Sequence, residues 1–168
     1  MGATTAATAT TPDWSRERVG PLEWNPGRQL IRSIRLYQRG LAAGLPRKTL
    51  APLVAAHRFW SAVTGADVPL VCQIEGGLLL PHPNGIVIHP DARIGANVCL
   101  MQQVTLGVGS KPGLPILEEW VDVGAGARLL GGIRIGAYAR IGAGAVVLSD
   151  IPPGATAVGV PARVLPRD

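Results

Sequence analysis

A chain of 168 residues holds one domain with a short appendage. Its apolar content is Val, Ile, Leu and Ala with 22 glycines and only 4% aromatics, which argues against a helical bundle and for stacked strands and tight turns. The net charge of +5 includes no block of like charge that would mark a nucleic-acid arm, and Cys72 and Cys99 form neither a metal-ligand nor a redox motif, reading instead as small buried hydrophobes in a reducing compartment.

Residues 1–26 read as a disordered or extended tail. The opening MGATTAATATTP has neither a basic start nor an apolar run, so no signal peptide or membrane span is expected and the cytoplasm is the expected location. A short helical segment is expected at 27–66, as two helices over 28–43 and about 47–64. Gly44-Leu45-Pro46 separates them, and Pro52 should start or kink the second. Nine Lys/Arg against three Asp/Glu fall in residues 1–60. Arg28, Arg32, Arg35 and Arg39 recur three to four apart among Leu30, Ile31, Ile34 and Leu36, the pattern of a solvated face on an amphipathic helix rather than a nucleic-acid surface.

From residue 67 to 168 the pattern changes. An aliphatic residue recurs every sixth position at Ile88, Ile94, Leu100 and Leu106, then from Leu117 through Val123, Leu129, Ile135, Ile141 and Val147. Small or aliphatic residues follow four places on, and glycine often comes directly after the repeat residue. A period of six fits neither an α-helix nor plain strand alternation. It fits three-faced coils stacked through parallel ladders, about four coils in all, whose handedness the pattern leaves open. The phase slips by two residues near 86–88, and Gly107–Ile116, rich in Gly and Pro, should leave the coil as a loop, where function tends to lie.

Of the three histidines, His57 reads as helix packing and His89 as surface. His82, in Leu80-Pro81-His82-Pro83-Asn84-Gly85, stands where the regular surface breaks, so it is the candidate for chemistry. A zinc site needs about three converging protein ligands, and His82 and His89 do not supply them, so no metal is expected. A non-catalytic binding scaffold is the other rival reading.

The stretches IEGGLLLPHPNGIVIHPDARIGANVCLMQQVTLG and VGAGARLLGGIRIGAYARIGAGAVVLSDIPPGATAVGVPARV resemble the catalytic domain of bacterial serine acetyltransferases and of short relatives that acetylate sugars or other small hydroxyl compounds. The resemblance covers roughly residues 66–165. It implies a left-handed parallel β-helix of hexapeptide repeats, assembled as a homotrimer or a larger assembly through the helices, and an acetyl-CoA-dependent O-acetyltransferase acting on a small hydroxyl acceptor. In such an enzyme His82 is the general base and Asp67, fifteen residues upstream, orients it. Gly107, Ala125 and Ala143 match the strip along which the pantetheine arm of acetyl-CoA lies. Arg163 matches a position near the nucleotide phosphates, and Lys111 is a second candidate cation there. The chain departs from the family at Pro81, Gly113 and Leu114, where serine acetyltransferases carry charged groups that hold the two ends of serine. L-Serine is therefore expected to be gripped weakly, and a neutral or bulkier alcohol to be preferred.

Overall fold

The computed structural model describes residues 10–166. Helix α1 (Pro26–Ala42) opens on Asn25, whose side chain accepts from the Arg28 amide, with Pro26 in the first turn, where its missing N–H is not needed. Helix α2 (Ala51–Thr64) has Pro52 in its first turn and ends on Gly65 in the left-handed region. Both lie within a few residues of the expected spans.

Thirteen short strands follow: β1 (Gln73–Ile74), β2 (Val87–Ile88), β3 (Arg93–Ile94), β4 (Cys99–Leu100), β5 (Thr105–Gly107), β6 (Ile116–Leu117), β7 (Asp122–Val123), β8 (Arg128–Leu130), β9 (Arg134–Ile135), β10 (Arg140–Ile141), β11 (Val146–Val147), β12 (Thr156–Gly159) and β13 (Ala162–Val164). They form three sheets, β1-β3-β6-β9, β2-β5-β8-β11 and β4-β7-β10-β12-β13, parallel throughout except for the terminal β12–β13 pair. Single bridges at Asp67–Val87, Leu79–Cys99 and Ile135–Ile151 extend the ladders, so the column is five tiers high rather than about four. The difference lies in the end tiers, where three of the pairings are reduced to a single bridge and the six-residue signature fades.

In each of the strands β1–β12 one apolar residue is buried and its predecessor is more exposed. Ile88, Leu106, Leu129 and Val147 therefore stack in register inside one sheet, and Ile74, Ile94, Leu117 and Ile135 inside another. A register slip of one residue would turn each of these stacks to solvent. One prism edge turns through left-handed backbone at Gly65, Gly85, Gln103, Gly126 and Gly144, each amide from Gly85 onward donating to a carbonyl of the tier before.

Helix α1 closes the first tier. Leu30, Ile31 and Ile34 join the core, Gln38 donates to the carbonyls of Leu70 and Cys72, and Arg35 to those of Ile74 and Glu75, satisfying a strand edge that would otherwise be bare. This corrects the reading of the α1 arginines as a uniformly solvated face. The Arg35 side chain is only 13% exposed and is bidentate on Glu17 at 3.0 and 2.8 Å. Glu17 belongs to a 3-10 turn, Trp14–Glu17, inside the segment read as a tail. That segment is tied to the column: the Asp13 amide donates to Asn97 Oδ1 at 2.7 Å, the Leu78 amide donates to Glu17 Oε1 at 3.0 Å, and Arg16 lies over the Trp120 ring. Residues 1–9 of the expected tail lie outside the described residues.

Candidate active site

Ladder spacing locates the irregularity that carries His82. Asp67, Gln73 and Leu79 pair with residues twenty positions on, whereas Val87 pairs with Thr105, eighteen on. The two additional residues fall within Pro81–Asn84, which leaves the column as a small bulge at the glycine-turned edge. Its return is fixed by the Gly85 amide donating to the Gly65 carbonyl (3.1 Å) and by Asn84 O accepting from Gln103 N (2.8 Å). His82 is exposed and lines a concavity of about 480 Å³ together with Trp24, Asn25, Pro26 and Gly27 at the start of α1, Val63 and Thr64 at the end of α2, and Pro81, Pro83 and Asn84. No Asp, Glu, Lys or Arg lines it. Trp24 is a part of this wall that sequence reasoning missed. It is held by Trp60, ring centroids 5.8 Å apart, and Trp60 in turn meets Phe59 edge-on at 5.0 Å. The available signal was its place one residue ahead of the Asn25-Pro26 helix start.

Asp67 sits on the first tier beside Val87, its backbone clamped by the Ile86 carbonyl at 2.8 Å and the Ile88 amide at 2.9 Å. Its side chain is exposed, and no hydrogen bond joins it to His82 among the described residues. The Asp67 charge instead reaches His57 and Cys72. His57 is buried, with Ser33 Oγ 3.1 Å from Nδ1. Burial pushes its pKa below the usual imidazole value and Asp67 partly opposes the shift. Burial, helped by Asp67 and Asp91, raises the Cys72 thiol to about 12, so it is an inert core sulfur, and the half-buried Cys99 is raised for the same first reason. His89 is half-buried, its Nδ1 accepting from the Asp91 amide at 3.2 Å. No group of three His, Cys, Asp or Glu side chains among the described residues could hold a metal.

Ala125 and Ala143 share the edge that carries the His82 bulge, each directly before one of its left-handed glycines, Gly126 and Gly144. Their carbonyl and amide groups face the adjoining turns: Ala125 O accepts from Gly144 N at 2.7 Å, while the amides of Ala125 and Ala143 donate to no group among the described residues. The tiers are drawn together here by Gly124, where a Cβ would stand 2.6 Å from the Ala143 nitrogen. Two free N–H groups in line on an exposed edge of small residues can receive the carbonyls of a thin ligand chain.

The other expected residues lie apart from this edge. Gly107 ends β5 on the far side of its sheet, where a Cβ would make only ordinary contacts, so the chain's own packing does not demand glycine there. The loop after it folds back on the column through Gly132 N to Lys111 O at 3.1 Å. Lys111 Nζ is engaged by Asp150 at 3.2 Å, whose carboxyl is held below the usual range by the Arg134 amide and then by Lys111. Arg163 is exposed on β13 at the last tier.

No family model matches the sequence. The chain is 38% identical over 151 residues to the serine acetyltransferase of Escherichia coli K12, covering 88% of this chain and 48% of that protein. To the serine acetyltransferase of Helicobacter pylori J99 it is 44% identical over 109 residues, covering 63% of this chain and 64% of that protein. Among solved structures it is similar to a serine acetyltransferase in complex with CoA, with a TM-score of 0.73 and 34% identity over 86% of this chain and 59% of that one. It is also similar to the Neisseria gonorrhoeae serine acetyltransferase in complex with serine, with a TM-score of 0.71 and 40% identity over 85% of this chain and 58% of that one. The chain thus spans about half to two thirds of the length of the relatives it matches. It resembles the serine acetyltransferases in sequence and backbone, and its column is the left-handed parallel β-helix of that fold.

Proposed function

We propose that this chain is an acetyl-CoA-dependent O-acetyltransferase whose acceptor is the hydroxyl of serine. The observation that carries the reading is the shared edge: His82 stands at one end of it and the unpaired amides of Ala125 and Ala143 continue along it, in a chain that resembles serine acetyltransferases over most of its length. Acetyl-CoA, when bound, supplies an acetyl group activated as a thioester. Ala125 and Ala143 would hold its pantetheine arm along this edge. Gly107, which lies apart from the edge within one chain, would reach the arm from a neighbouring copy, and Arg163 and Lys111 would hold its phosphates, Lys111 leaving Asp150 to do so.

The neutral imidazole of His82 takes the acceptor's hydroxyl proton as that oxygen bonds to the thioester carbonyl carbon. As the carbon–sulfur bond breaks, the same proton passes to the departing sulfur, leaving an ester and a free thiol. Asp67 acts on the far ring nitrogen, fixing the tautomer and stabilising the imidazolium. Both side chains are exposed, and the role requires them to turn toward each other. A soluble cytoplasmic homotrimer is the state in which the enzyme is proposed to work.

The relatives favour serine over a sugar, against the preference read from Pro81, Gly113 and Leu114. Those uncharged positions affect how tightly serine is held. Each missing charged hydrogen bond costs about 1.5–3 kcal/mol, so the KM for serine is expected to be high. The test follows thiol release from acetyl-CoA with L-serine, homoserine and a panel of sugars. L-Serine should give the highest kcat/KM. A sugar that outranks it overturns the acceptor assignment, and no acceptor-dependent thiol release from any compound overturns the enzyme reading.

A further inference from the structure

On the side of α1 that faces the 3-10 turn, a groove of about 390 Å³ is lined by Trp14, Glu17, Arg18, Val19, Arg32, Arg35, Leu36 and Arg39. Four guanidinium groups border it and one carboxylate. That carboxylate is consumed: Glu17 is bidentate on Arg35, and its Oε1 also accepts from the Leu78 amide. The side chains of Arg18, Arg32 and Arg39 have no ion pair or hydrogen bond among the described residues. Arg32, Arg35, Leu36 and Arg39 recur at three- and four-residue steps and so share one helix face, on which neighbouring like charges repel.

A merely solvated face would spread such charges outward. Here the Trp14–Glu17 turn and the Arg18–Val19 segment fold back to give the groove a second wall, and half-buried Val19 and Leu36 line it between the charges. The size is within the range of small-ligand clefts. Guanidinium forks match phosphate oxygens two at a time.

We propose that this groove binds a small phosphorylated anion carrying at least two negative charges. Arg18, Arg32 and Arg39 supply the charge and the contacts, while Arg35, its charge balanced by Glu17 and its N–H groups spent on Glu17, Ile74 and Glu75, only shapes the wall. The site is separate from the His82 edge and does not depend on the proposed acetyl transfer. Its occupant could be an inorganic polyphosphate or a nucleotide, which share the same diphosphate chemistry. Because the groove's second wall is the turn that ties residues 13–17 to the column, a bound anion would also fasten that turn.

The experiment measures calorimetric affinity and melting temperature of the full chain with pyrophosphate, ADP and sodium sulfate at matched ionic strength. The same measurements are made on the R32A/R39A double variant, whose unliganded melting temperature and circular dichroism check that it folds. Pyrophosphate or ADP should bind the native chain, raise its melting temperature, and bind the variant at least about tenfold more weakly, as expected when charged hydrogen bonds are lost. ADP binding well above pyrophosphate identifies a nucleotide as the occupant, and equal binding identifies the diphosphate alone. Equal affinity in variant and native chain, or binding no stronger than sulfate, overturns the proposal.

Discussion

The roles proposed for His82 and Asp67 separate under substitution. His82→Ala should lower turnover by about 10²–10⁴-fold, the usual contribution of a general base, with the KM for acetyl-CoA nearly unchanged. Asp67→Asn should cost less, since it only frees the tautomer and removes a charge. Steady-state kinetics at saturating acetyl-CoA separates the two, and an active His82→Ala enzyme removes the mechanism. Asp67 also bears on His57, whose pKa burial lowers and Asp67 partly restores. A histidine whose folded pKa is depressed gives stability that is fully present above its unfolded value, ~6.5, and that is lost as the pH falls toward the folded value, because only the unfolded chain takes up the proton. The native melting temperature should therefore drop more between about pH 7.5 and 5.5 than that of His57→Gln. Equal drops in the two proteins would show that the buried imidazole is not the group responsible.

Within the column, each strand contributes one buried aliphatic side chain, and the ladders place these above one another. Leu106 is fully buried between Ile88 and Leu129, so Leu106→Ala opens a cavity bounded by two tiers and should cost about 2–5 kcal/mol. Thr105→Ala, on the outward side of the same strand, should cost within about 0.5 kcal/mol. Chemical denaturation of both variants checks the contrast. This one-in, one-out economy is why the column was legible in the sequence: Ile88, Ile94, Leu100 and Leu106 each report their own burial, and the six-residue step reports the three faces. The bulge at Pro81–Asn84 was legible too, as a two-residue slip in the same count. What pins Asp13 to Asn97, or Glu17 to Leu78 and Arg35, was not legible, because those bonds join residues far apart in the chain through polar groups that follow no period. Trp24 was missed for the same reason. Its place beside His82 depends on how α1 and α2 sit on the first tier, and a local pattern does not record that.

Both ends of the column are closed from within the chain. Gln38 and Arg35 of α1 satisfy carbonyls of the first tier, and β13 folds back antiparallel on β12 at the last. Assembly by end-to-end strand pairing is thereby blocked, which leaves the lateral faces. Those faces expose Val87 and Leu148, and Val108 stands exposed in the loop after β5. The His82 edge lies on this flank as well, and among the described residues the amides of Ala125 and Ala143 donate to no group. The acetyl transfer proposed above would need a wall over this edge, since water at an open edge competes for the acetyl group. In the homotrimer proposed above, a neighbouring column packed about the threefold axis would supply it. Light scattering should therefore give three times the 17.5 kDa chain mass. Specific activity should fall on dilution through the dissociation range while the circular dichroism of each chain is retained. A monomer of undiminished activity would mean that the edge is complete in a single chain, and that Ala125, Ala143 and His82 work without a neighbour.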